Sequence, residues 1–115
     1  MGLIDKQLAP HYQWGDNCDG WHLVRTDALS VIQERMPPGT EERLHFHVNA
    51  QQFFFILNGT ATFEKDGEYV DVGKGQGSCI CPGEHHRIFN KTDHDLEFIV
   101  VSQPMAHGDR VPVFE

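Results

Sequence analysis

Positive charge is scarce in this chain. Nine Lys and Arg stand against 17 Asp and Glu, a net charge of −8 over 115 residues. With no basic stripe to neutralise phosphates, nucleic-acid binding is set aside. The acidic residues are scattered and read as a solvated surface. Long apolar runs are missing too: none approaches the ~20 residues of a membrane-spanning helix. MGLIDKQLAPHYQWG has no basic segment leading into an apolar stretch, so no signal peptide is expected, and MGLIDK lacks the Ser/Thr of a myristoylation signal. Cysteine is limited to Cys18, Cys79 and Cys81. An odd count without framework spacing points to a reducing, cytoplasmic setting rather than a disulfide-stapled fold. Helical periodicity is the last absence, beyond a turn near the N-terminus.

Turn signals at short, regular intervals separate runs rich in Val, Ile, Phe and Thr. Asn58-Gly59 and Asp66-Gly67 are dipeptides that tolerate positive φ at both centres of a type I′ turn. The spacing therefore predicts successive hairpins, 52–57 with 60–65 and 62–65 with 68–72. Further strands are expected at 28–36, 43–48, 78–81, 86–90 and 96–102. Strands every eight to twelve residues indicate an all-β sandwich or barrel. The chain reads as one domain: an N-terminal arm over 1–20, a barrel over 28–104 and a tail over 108–115.

In QFFFIL, residues 52, 54 and 56 face one side and 53, 55 and 57 the other, and both sides are apolar. Such a strand is either covered on both faces or presents its outer face to another subunit. A homodimer with Phe53, Phe55 and Leu57 near the interface is expected; the alternative is cover from a second sheet or from the arm carrying Trp14 and Trp21. His45 and His47, two apart on a strand, point to one face with Cα atoms about 7 Å apart, close enough for both rings to converge on an ion. Gln52 shares its face with Phe54 and Ile56 and follows after a short connection, Arg43 shares the histidines' face, and Arg43 and Phe54 are candidates for the pocket lining. Gln33 and Arg35 alternate on 28–36 and are candidates for a cavity lining, with the solvated face as the alternative. His22, His94 and His107 sit in polar contexts and are expected at the surface, and neither Tyr12 nor Tyr69 falls in an obvious pocket strand. Ser102 lacks a G-x-S-x-G setting, and GKGQG at 73–77 lacks P-loop spacing.

The wider spacing carries more. From Gly39, five residues lead to His45-Phe46-His47, four more to Gln52 and six to Gly59; from Gly75, five residues lead to Cys81-Pro82-Gly83, then His86 and Asn90. These two segments, spanning Gly39 to Asn90, resemble the two motifs of the cupin superfamily, small conserved β-barrels. The resemblance implies a jelly-roll barrel (a double-stranded β-helix) and metal ligands at His45, His47 and His86, with Gln52 in the position of the family's glutamate. Spacing to Gly83 and Asn90 favours His86 over His85. Cys81 replaces a proline that usually precedes Pro82.

Three imidazoles and one neutral oxygen suit Fe, Mn, Ni, Cu or Zn as a single divalent ion. One or two positions would stay open, and without a carboxylate ligand the ion would keep its full charge and attract anions. The expectation is a small metal-dependent enzyme, dioxygenase-like, acting on a small oxygen-rich or anionic metabolite. The alternatives are a non-catalytic binding or sensing protein, or a metal-dependent sugar or uronate isomerase or lyase. Cupins acting on unsaturated uronates are similar in using three histidines and a glutamine, but they carry an acid and an arginine on the last strand, where LEFIVVSQP has no Asp. No proton-transfer residue is placed by the sequence.

Overall fold

The structure, a computed structural model, describes residues 2–106 and 108–114; the surface expectation for His107 lies outside the described residues. The described residues form eleven strands: β1 His11–Trp14, β2 Cys18–Arg25, β3 Ser30–Met36, β4 His45–His47, β5 Gln51–Asn58, β6 Thr60–Lys65, β7 Glu68–Gly73, β8 Gly77–Ile80, β9 His86–Phe89, β10 Leu96–Gln103 and β11 Arg110–Pro112. They form two antiparallel sheets, ordered β1-β2-β3-β10-β5-β8 and β11-β4-β9-β6-β7. A turn over Asp5–Ala9, closed by Ala9 N–H to the Asp5 carbonyl at 2.9 Å, is the only helical feature near the start of the described chain.

Alternation builds the core between the sheets. Phe54 and Ile56 of β5, Phe63 of β6, Ile88 of β9, and Leu96, Phe98 and Val100 of β10 point inward and are buried. Phe54 meets Phe63 edge-on at 5.1 Å and lies 5.7 Å from Phe98. The inward rows change character along the sheet. Leu96 pairs with Met36, and Val100 with Ile32 and Phe54, but Ser102 pairs with Ser30 and Gln52. One end of the barrel is therefore apolar and the other polar.

The two turn dipeptides behave differently. Asp66 and Gly67 both take positive φ (49° and 84°), and β6 and β7 pair around them as a hairpin. Asn58-Gly59 makes no hairpin. It carries the chain from β5 in one sheet to β6 in the other, and a Cβ on Gly59 would come within 2.8 Å of the Asp95 carbonyl oxygen. A positive φ lets a turn reverse a strand, but only the neighbouring strands decide whether the two arms pair.

The terminal segments are more than appendages. β1 and β2 extend the first sheet from β3, and β11 pairs with β4, setting Arg110 opposite His47. The N-terminal arm does not cover the outer face of β5: Trp14 packs against the core, and Trp21 lies beneath Lys6 at 4.8 Å. Phe53 and Phe55 remain 40% and 37% exposed, while Leu57 is partly buried at a register irregularity with β10.

Candidate metal centre

β4 is only three residues long, and its alternation buries His45 and His47 while Phe46 turns outward. β9 pairs with it so that His86 stands directly opposite His45. The three rings gather at 4.3 to 5.7 Å between centroids, and one ring nitrogen from each lies within 4.8 Å of the others. His85 points the other way and stacks on Phe46 at 5.0 Å. A main-chain bond from Gly83 N–H to the His47 carbonyl, 2.8 Å, ties the Pro82-Gly83 turn to β4.

Backbone carbonyls orient two of the rings. A carbonyl only accepts, so Nδ1 of His45 donates to Arg43 O at 2.6 Å and Nδ1 of His86 to Glu84 O at 2.9 Å. Each Nε2 is thereby left as a lone-pair donor to a metal, the tautomer that such ligation requires. Burial, then the neighbouring His86, pushes the His45 pKa down to about 3. Burial likewise lowers His86, against the opposing pull of the Glu84 carbonyl. Both rings are held neutral, as ligands must be.

Gln52 faces them from the opposite sheet. Its Nε2 donates to Ser102 Oγ at 3.0 Å, which fixes the amide, and Gln52 shares the cavity wall with His45 and His47. Gln52 Oε1 and His86 Nε2 are buried and have no hydrogen-bond partner among the described residues. Buried lone pairs left unsatisfied cost roughly 1–3 kcal/mol each, and a divalent cation would satisfy both. The donor set of three imidazoles and an amide oxygen fits a transition ion.

His45, His47 and Gln52 open onto a cavity of about 260 Å³, whose wall also includes Phe54, Tyr12, Trp14, Glu34, Glu42 and Arg110. Phe54 is the one member of the expected lining that takes this place. Gln33 and Arg35 are on the opposite face of β3, where Gln33 donates to Glu97 at 3.3 Å and Arg35 to Asp19 at 2.8 Å. The phase of β3 is set by buried Ile32 and Met36, so its even positions face inward and Glu34, not its neighbours, meets the cavity. Arg43 is exposed, with its guanidinium 4.8 Å from the Phe114 ring. His22 is buried rather than superficial and packs on Tyr12 at 4.9 Å; His94 is exposed.

Tyr12, Glu34, Glu42 and Arg110 escaped the sequence reading. Glu34 had a signal, a carboxylate in phase with Ile32 and Met36. Tyr12 and Arg110 had none, because they arrive on strands whose pairing is decided only in the folded chain. Tyr12 is opposite Gly20, and its ring lies so close that a Cβ on Gly20 would overlap it. Burial, then the charge of Glu34, raises the Tyr12 pKa well above the usual phenol range, so the hydroxyl remains a donor.

With this geometry in place, the comparisons are specific. An oxalate-binding protein from Thermotoga maritima is 34% identical over 85 residues, 70% of each chain, and an uncharacterized protein from Methanocaldococcus jannaschii is 30% identical over 81 residues, 70% of this chain and 65% of the other. Among solved structures, the polyketide cyclase RemF from Streptomyces resistomycificus superposes with a TM-score of 0.84 at 18% identity, covering 100% of this chain and 87% of that one, a likeness of fold alone. The family model for the cupin domain matches residues 32–102, from the middle of β3 to the end of the barrel and across all three buried histidines. Strand order, inward histidines and that match agree, and the chain belongs to the cupin family.

Proposed function

We propose that His45, His47, His86 and Gln52 hold one divalent transition ion and that this cupin is a small metal-dependent enzyme acting on a compact, oxygen-rich anionic metabolite. The observation that carries the reading is the convergence of the three histidine nitrogens with two buried, unsatisfied lone pairs beside a cavity of about 260 Å³. When bound, the ion would supply a positive charge undiminished by any carboxylate ligand, suited to holding and polarising an anion. Arg110 adds a second positive charge to the cavity wall. That a relative is an oxalate-binding protein supports a small carboxylate as the ligand class.

Oxygenase chemistry, the first expectation, needs no proton-transfer group. The titratable side chains lining this cavity weigh instead toward isomerase or lyase chemistry. The second reading, a binding or sensing protein without turnover, is favoured by the same relative's description as a binder. We also propose a homodimer through the Phe53 and Phe55 face, and a reducing, cytoplasmic setting that suits the free thiols of Cys18, Cys79 and Cys81.

Metal analysis should find about one transition ion per chain, and calorimetry should show oxalate binding only to the metal-loaded protein. His47→Ala should abolish both; stoichiometric metal in that variant would overturn the site. Tight binding of 2-oxo and 2-hydroxy acids that are all recovered unchanged would select the binding reading.

A further inference from the structure

The cavity contains two carboxyl groups in unlike surroundings. Glu34 occupies an inward position of β3 between Ile32 and Met36, in register with Gly20 on β2 and Phe98 on β10. Strand alternation calls for an apolar residue there. Its carboxyl makes no hydrogen bond or ion pair among the described residues. Glu34 is partly buried on the cavity wall, and an acid held there without a donor favours its neutral form. Glu42, on the segment leading into β4, lines the same cavity but accepts a hydrogen bond from Ile88 N–H at 3.2 Å, which favours its anion. Two carboxyls pushed apart in this way mark an acid and a base.

We propose that Glu34 and Glu42 are the acid–base pair of this cavity, Glu34 holding a proton and Glu42 accepting one, and that they move a proton between neighbouring atoms of a compact 2-oxo acid. The inference rests on the metal–anion reading above. Glu42 takes the proton from the carbon beside the carbonyl. The C–H electron pair becomes the carbon–carbon double bond, the carbonyl π pair moves to oxygen, and Glu34 gives its proton to that oxygen. The product is the enol. Reversal at either face of the carbon returns a proton and gives exchange or epimerisation, with no oxidant or reductant consumed.

The surroundings are consistent with these roles. Burial and the charge of Glu42 push Glu34 well above the usual carboxylate range. Burial raises Glu42 only to about 7, because Arg110 and the Ile88 N–H pull it down. The other titratable or charged groups facing the pair are Tyr12 on β1, His45 and His47 on β4, and Arg110 on β11.

Infrared spectra taken above the Glu42 titration, at about pH 8.5, should contain the C=O stretch of a protonated carboxyl, lost in Glu34→Gln and kept in Glu42→Gln. In heavy water, the metal-loaded wild type should wash deuterium into the methyl group of pyruvate, followed by proton NMR. Each variant should slow that exchange about 100-fold or more while still binding metal and oxalate, which also reports that it folds. A carboxyl band that survives Glu34→Gln, or pyruvate exchange no faster in the wild type than in the variants, overturns the proposal. A wild type that takes up neither metal nor oxalate overturns the metal–anion reading instead, and the infrared band, read without metal, still tests Glu34 by itself.

Discussion

At the scale of single residues, the glutamine and the buried histidines have consequences that can be measured. Gln52→Glu places a carboxylate in the cavity wall that Gln52 shares with His45 and His47. A full charge about 4 Å from a cation is worth several kcal/mol even at an effective dielectric of ~20, so metal affinity should rise at least about tenfold, read by competition with a chelator. Unchanged affinity would mean that Gln52 is not a ligand. The metal-free protein should also show an unusual pH profile. His45 titrates at 6.5 when unfolded and about 3 when folded, so the unfolded chain holds more protons between those values. That contribution is complete above pH 6.5 and is lost as pH falls, by about 1 kcal/mol per pH unit, with His86 acting in the same direction. Glu42 acts oppositely: its pKa rises from 4.5 to about 7 on folding, so stability falls as pH climbs through that window, and Glu34 adds the same sign. The opposed slopes should give a plateau between about pH 4.5 and 6.5 in urea unfolding of the metal-free protein. A steady fall from 6.5 to 4.5 would show that the carboxyls are already ionised.

Elements decide which of these residues meet. The histidines were legible because H-x-H on a strand puts both rings on one face by geometry alone, and a second motif supplies the third. Glu34 was not read, because the phase of β3 depends on which of its two faces is covered, and Gln33 with Arg35 fits alternation as well as Ile32 with Glu34 does. Arg110 reaches the cavity because Asp109 pins the start of β11 to the β4–β5 connection, accepting N–H bonds from Ala50 at 2.8 Å and Asn49 at 3.0 Å. Burial alone would raise the Asp109 pKa, but these donors outweigh it and hold it low. Asp109→Ala should cost about 1.5–3 kcal/mol and weaken oxalate binding while metal content stays the same. Hydrogen exchange should quicken at Ala50 and along β11; unchanged protection there would show that this anchor is not what orders the segment. Gly20→Val acts at the other edge. Its side chain would collide with the Tyr12 ring, and overpacking of this kind costs about 1–3 kcal/mol, measurable as a lowered urea midpoint.

For the whole molecule, the two faces of the first sheet have separate fates. Its inner face closes the core and the cavity, while its outer face leaves Phe53 and Phe55 as neighbouring exposed rings 6.3 Å apart. Exposed aromatic pairs of this kind are enriched at interfaces between chains. Light scattering should give the mass of a dimer at micromolar concentration. Phe53→Glu with Phe55→Glu should give a monomer that keeps its metal, because neither ring faces the histidines. A wild-type monomer would remove the dimer. By itself, the sequence determined the all-β class and the paired faces of His45 and His47, because strand periodicity is a local property of the chain; likeness to the two cupin motifs added His86 and Gln52. The tertiary structure alone decided that Asn58-Gly59 links two sheets, that Glu34 rather than Arg35 faces inward, and that Tyr12 and Arg110 arrive from the two ends. Those outcomes depend on which strands pair and which face is buried, choices made by contacts between residues far apart in the chain.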